Sequence, residues 1–151
     1  MSLFGWGAGD IIAISGLAVR VYAAYKDAPG DYGHISDEVQ SLETKIDDAK
    51  EYFEGTSLSS KKRKMGQLVL KGCESVLVDL NSLVRKYKSL DSTDNRLDWN
   101  RIKFFKEDIG TLRLRLISNT ASLSDFVRRS VIPVTCPILA VLWILIFLSQ
   151  L

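Results

Sequence analysis

Histidine, cysteine and proline are scarce in this sequence. Its 151 residues include one histidine, two cysteines and three prolines. His34 has no second histidine or cysteine at a spacing that would complete a zinc site. Two cysteines, Cys73 and Cys136, are too few for a disulfide framework. The sequence therefore predicts no metal or cofactor, and free thiols in a reducing compartment.

A large excess of one charge is also missing, and so are the usual signs of catalysis. The 20 Lys and Arg residues nearly balance the 18 Asp and Glu residues, which argues against general binding to nucleic acid. Asp47-Asp48 and the pair Glu51 and Glu54 fit solvated helix faces rather than an acid-base site. The glycines of Gly5–Gly9 follow no strand and precede no Lys-Ser/Thr pair, so they do not form a phosphate loop. We predict that the protein is not an enzyme.

What the sequence does contain is helical periodicity. Apolar side chains recur at steps of three and four in four segments, which is typical of amphipathic helices. These segments run from Ile11 to Tyr25, from Ile35 to Phe53, from Val69 to Leu90 and from Ile102 to Phe126. No strand pattern competes with them, and short polar or Pro-Gly breaks separate them. The pattern predicts an all-α fold, a four-helix bundle that packs most simply as antiparallel neighbours.

Three features leave alternatives open. The first helix is apolar over more than half its circumference, so it is either a central helix wrapped by the other three or a segment able to enter a membrane. Asn119 is either a buried polar residue that fixes the helix register or an edge residue facing water. The basic run Lys61–Lys64 either contacts anionic lipid or forms an ordinary solvated helix start.

The C-terminal part carries a hydrophobic stretch. From Val131 to Leu148 there are about 18 uncharged residues, at the short end of what spans a bilayer. Regular helix is expected from Pro137, and Trp143 lies in the middle of the stretch rather than at an interface. We predict a transmembrane or membrane-associated helix; the alternatives are a buried fifth helix and an oligomer interface.

Arg128 and Arg129 directly precede this stretch. Basic flanks stay preferentially on the cytoplasmic side, so we expect a single-pass tail anchor with the bundle in the cytosol, on a membrane that the sequence does not identify. The predicted division is a helical domain over residues 1–130 and a hydrophobic membrane segment over residues 131–151.

Several stretches resemble a known family. They are Phe4–Asp10, Tyr25–Gly30, Ile35–Leu42, Lys71–Cys73, Tyr87–Leu90 and Ile109–Thr120. Together they resemble the N-terminal helical domain of many fungal proteins, over about residues 3 to 127, and that domain is similar to the HeLo-like bundles of fungal NLR (STAND-type) immune receptors and cell-death effectors.

The resemblance implies a function as well as a fold. Bundles of the HeLo-like type permeabilise membranes through the N-terminal helix. Carried over to this chain, the resemblance makes Phe4, Trp6, Ile11, Ile12 and Leu17 the apolar contacts of a membrane-active element. A hydrophobic stretch in place of a downstream receptor domain departs from the family pattern and favours an effector, an adaptor or a remnant.

Two functional hypotheses follow. The first is a membrane-anchored signalling or cell-death module that associates with like helical bundles and inserts its first helix on activation. The second is a passive tail-anchored adaptor that binds a partner helix in a groove and has no lytic activity. Both name a lipid membrane as a partner and neither includes nucleic acid.

Overall fold

The computed structural model describes residues 8–55, 57–88 and 109–131, and within them all regular structure is helical. Four α-helices follow one another: α1 (Ala8–Tyr25), α2 (Gly33–Gly55), α3 (Ser60–Lys88) and α4 (Ile109–Val131). A short 3-10 turn, Gly30–Tyr32, precedes α2. The prediction of an all-α, four-helix fold is confirmed for this part of the chain.

The four helices surround one core, with α1 and α4 at diagonally opposite corners. Both α1 and α4 pack against α2 and α3. The chain direction alternates from one helix to the next: Arg113 of α4 meets Glu38 of α2, and Arg115 of α4 meets Asp79 of α3. Because α2 and α3 occupy the other diagonal, α1 with α3 and α2 with α4 are parallel neighbours, which differs from a fully antiparallel arrangement.

The predicted apolar faces form the core. All five periodic positions of α1 are buried, and so are the first five of α2. These ten residues are Ile11, Ile14, Ala18, Val21, Tyr25, Ile35, Val39, Leu42, Ile46 and Ala49. On α3 the buried face is wider than the pattern suggested, because α3 packs against both α1 and α4 and also buries Leu70, Leu77 and Val84.

The breaks between helices have simple local causes. Gly30 has a positive φ of 61°, a conformation that glycine adopts without steric cost, and Pro29 before it is extended. The start of α3 is capped by Ser59, whose hydroxyl accepts a hydrogen bond from the backbone N–H of Lys62 at 3.3 Å. The basic run therefore opens α3, as the sequence indicated.

The predicted membrane segment is not part of this description. Residues 132–151, with Pro137, Trp143 and Leu148, lie outside the described residues, whereas Val131 is the last residue of α4. Phe4 and Trp6 also lie outside them. Among the helices that are described, none combines the length and the apolarity needed to cross a membrane.

Candidate functional site

One end of the bundle is closed by three aromatic rings. Phe53 of α2 and Phe126 of α4 stack with their centroids 5.9 Å apart and their planes at 20°. Tyr52 packs edge-on against both rings, and its hydroxyl donates a hydrogen bond of 3.2 Å to the carbonyl oxygen of Ser130. These contacts hold the C-terminal ends of α2 and α4 side by side.

Gly66 brings the N-terminal part of α3 to the same end. A Cβ atom on Gly66 would overlap the rings of Phe53 and Phe126, so glycine is the residue that lets α3 approach them this closely. The C-terminal turns of α2 and α4 and the first turns of α3 thus meet. We call this end, residues 50–55, 57–64 and 125–131, the base of the bundle.

The base has an excess of positive charge. Its residues include seven Lys and Arg against three Asp and Glu, an excess of four positive charges, whereas the whole chain has a net charge of +2. Lys61, Arg63 and Lys64 are exposed at the start of α3. The other described residues carry nine Lys and Arg against ten Asp and Glu, so the excess of positive charge in the described part of the chain lies at the base.

Arg128 and Arg129 share one carboxylate. Asp125 accepts a hydrogen bond of 3.1 Å from Arg128 and one of 2.8 Å from Arg129, yet the two arginine side chains remain 73% and 77% exposed. The bond from Arg129 and then that from Arg128 hold the pKa of Asp125 below its usual value. One negative charge cannot neutralise two guanidinium groups, so this part of the base stays cationic at neutral pH.

Helix α1 is apolar on two faces. Ile11 and Leu17 are buried in the core, whereas Ile12 is 56% exposed and Val19 is 48% exposed. Among the described helices, α1 lies at a corner and packs mainly on α2 and α3, so the other three do not wrap it as a central helix. Of the three predicted membrane contacts in the described part, only Ile12 lies on the outer face.

The start of α1 is directed towards the base. The C-terminal residue of α1, Tyr25, donates a hydrogen bond of 3.1 Å from its hydroxyl to the carbonyl oxygen of Leu80, in the second half of α3. Because α1 and α3 are parallel, the N-terminus of α1 points to the end where α3 begins. The first helix, the basic run and the exit of the chain from α4 are thus oriented to one end of the bundle.

The contact between α3 and α4 shows the role of Asn119 and the environment of Cys73. Asn119 is half-buried there, and its side-chain amide donates a hydrogen bond of 3.0 Å to the carbonyl oxygen of Gly72, which supports the register role over the edge position. Cys73 is buried beside it, with its thiol 3.8 Å from the carbonyl oxygen of Asn119, and burial raises the pKa of that thiol to about 12. Cys73 is therefore a core residue with a free thiol.

A shallow groove runs outside this contact. Small side chains line much of it, including Gly72, Ser75 and Ser118, and it encloses about 420 Å³. Leu114, 69% exposed, stands at its rim, and Arg115 crosses it to Asp79 with an N–O distance of 2.7 Å. The groove thus combines small residues on its floor with one exposed leucine and one charged side chain at its edge.

Comparison of the chain with family models, curated proteins and solved structures found no match. The resemblance to HeLo-like bundles stays a prediction that rests on the residues quoted for it. Sequence reasoning missed the contacts of Tyr52 and Gly66 with α4, because their partners there, Phe126 and Ser130, lie sixty or more positions away in the chain. The sequence showed only that Phe53 and Phe126 each lie on the apolar face of a helix. It did not show that their rings stack on each other.

Proposed function

We propose that this protein is a membrane-anchored helical signalling module of the cell-death type, similar to HeLo-like bundles, whose first helix enters the membrane on activation and permeabilises it. The observation that carries the proposal is the outer face of α1. A helix whose partners cover only one face normally has polar residues on the other, but α1 exposes Ile12 and Val19 there. That apolar outer face supports the idea that α1 has a second environment, a membrane, in which these side chains are buried.

The composition of α1 favours a transfer to lipid. Of its 18 residues, only Asp10 and Arg20 are charged. In the bundle, the inner face of α1 is covered by α2 and α3; in a membrane, lipid is in contact with apolar side chains that include Ile12 and Val19. The loss of contacts with α2 and α3 is offset by burial of side chains that are exposed in the bundle. The same helix can thus be stable in two places, which is what an activated module requires.

Dye leakage from liposomes tests this proposal with substitutions that leave the core intact. Ile12→Asp and Val19→Asp each place a charge on the outer face of α1, where neither residue supports the bundle. Both variants should lose most of the leakage activity of the full chain. Leu68→Asp is the matched control, because Leu68 is 72% exposed on α3, and it should leak like the unmodified chain.

Two outcomes contradict the proposal. One is full-length protein that releases no dye at any concentration, and the other is equal leakage by the Ile12→Asp variant and the unmodified chain. Ile11→Asp is unsuitable as the main variant, since Ile11 is buried and its loss of activity would also follow from unfolding.

A passive adaptor is the second candidate, and the groove between α3 and α4 favours it. In this case the hydrophobic stretch holds the bundle at a membrane, and a partner helix, or a like bundle, covers Leu114 and the small residues beside it. Leu114→Asp would then abolish self-association in sedimentation equilibrium, whereas Ile12→Asp would have no effect and no variant would cause leakage. The two candidate functions are thus distinguished by the substitution that has an effect: Ile12→Asp on α1 for the lytic module, and Leu114→Asp on α4 for the adaptor.

A further inference from the structure

The base of the bundle unites two basic segments that lie far apart in the sequence. Lys61–Lys64 and the pair Arg128 and Arg129 are separated by more than sixty residues, yet the contacts of Gly66, Phe53 and Phe126 place the helix ends that carry them together. A charged run on one helix start is usually just solvated. Six basic residues gathered at one end form a surface instead.

The position of this surface indicates what it faces. Helix α4 ends at Val131, within the base, and the sequence continues from there with uncharged residues up to Leu148. If that sequence enters lipid, the base is the part of the bundle next to the headgroups. Basic residues next to an apolar segment are the pattern that anionic lipids attract.

We propose that the base binds the headgroup layer of an anionic membrane through Lys61, Lys62, Arg63, Lys64, Arg128 and Arg129. The inference rests on the membrane anchoring in the proposed function but not on lysis. The inference predicts that the chain prefers anionic to neutral membranes. The hydrophobic stretch supplies binding to any bilayer, and the base adds binding that depends on negative lipid charge and on salt. Docking in this orientation also directs the start of α1 towards the lipid.

Vesicle flotation of the full chain measures that preference directly. Partition is compared between vesicles of phosphatidylcholine alone and vesicles with about 30% phosphatidylserine, at low and at physiological salt. The test variant carries Lys61→Gln, Lys62→Gln, Arg63→Gln and Lys64→Gln. It should retain its binding to neutral vesicles and lose about tenfold or more of its preference for anionic ones.

A matched control separates a local surface from net charge. Lys26→Gln, Lys71→Gln, Arg85→Gln and Lys86→Gln remove the same number of positive charges at exposed positions outside the base and outside α1. This control should keep most of the preference, within about threefold of the unmodified chain. All eight positions are at least partly exposed, so thermal unfolding should show both variants folded.

The outcomes are distinct for each idea. Equal losses in the two variants, or no loss in either, would overturn the base as the lipid surface. Full competition by millimolar inorganic phosphate would overturn a headgroup layer in favour of a discrete anion site. Because flotation measures binding and not leakage, a chain that keeps the base-dependent preference but releases no dye leaves this inference standing and overturns the lytic function.

Discussion

The phenyl rings of Phe53 and Phe126 stack 5.9 Å apart directly over the backbone of Gly66. This contact joins three helices at one point. It places the basic start of α3 beside the C-terminal ends of α2 and α4. The contact can be tested directly by substitution, because the space between the α3 backbone and the two rings holds only the hydrogen atom of a glycine.

Gly66→Ala should destabilise the bundle. The new Cβ would overlap both rings, and moving the buried ring of Phe126 and the partly buried ring of Phe53 apart costs about 1 to 3 kcal/mol, more than the gain in helix propensity. Urea denaturation measures the change in the free energy of unfolding. Gly16→Ala is the control, since nothing lies within 4 Å of a Cβ at Gly16, and it should stabilise α1 by up to about 1 kcal/mol. Stabilisation by both substitutions would contradict the ring contact.

The ion pair between Arg113 and Glu38 should contribute more than the exposed pairs. Arg113 binds both carboxylate oxygens of Glu38, the shortest distance being 2.6 Å, and the two side chains are 28% and 18% exposed. Glu38→Gln weakens these charge-assisted bonds and should cost about 1 to 3 kcal/mol in urea denaturation.

The corresponding surface pair gives the comparison. Lys45 and Asp48 are neighbours on α2, 3.0 Å apart and 37% and 49% exposed, so Lys45→Gln should cost less than about 0.5 kcal/mol. A cost at Glu38→Gln as small as that at Lys45→Gln would mean that the link from α2 to α4 is not held by this pair.

Helical periodicity was enough to predict the elements and much of the core, but not their neighbours. Every apolar position predicted on α1 is buried, because a repeat of three and four residues is a local property of one helix. Which helices surround α1 is a non-local property. The excess of apolar residues on α1 suggested a central place, whereas the structure puts Ile12 and Val19 on an outer face.

The candidate site was harder to predict for the same reason. Lys61–Lys64 and the pair Arg128 and Arg129 were each visible in the sequence, and antiparallel successive helices place the start of α3 and the end of α4 at the same end of the bundle. The sequence did not show that these two helix ends are in contact, which follows from the packing of Phe126 against Gly66. Asn119 is a similar case: its position on an apolar face was evident, and its bond to Gly72 was not.

Alkaline pH should destabilise the protein through Cys73. Burial raises the pKa of its thiol, so the folded state keeps the proton while the unfolded state releases it. The associated stability is therefore complete below about pH 9 and is lost progressively up to about pH 12. Tyr25, whose pKa burial also raises, adds a loss of the same sign at higher pH.

The two contributions can be separated by substitution. Between pH 7.5 and pH 10.5 the free energy of unfolding should fall by about 2 kcal/mol more in the unmodified protein than in the Cys73→Ala variant. Urea titrations at the two pH values measure this difference, and the cost of removing the sulfur cancels within each protein. Parallel slopes for the two proteins would show that the thiol ionises as readily in the folded state as in the unfolded chain.

Asp125→Asn should strengthen binding to anionic vesicles. Asp125 is the carboxylate that Arg128 and Arg129 share, and its lowered pKa keeps it charged at neutral pH, so it reduces the positive charge of the base. Its removal should raise the partition onto phosphatidylserine vesicles about threefold to fivefold, with no change on neutral vesicles. Asp48→Asn removes the same charge from a pair outside the base. If both substitutions raise the partition equally, net charge explains the binding; a rise confined to Asp125→Asn locates it at the base.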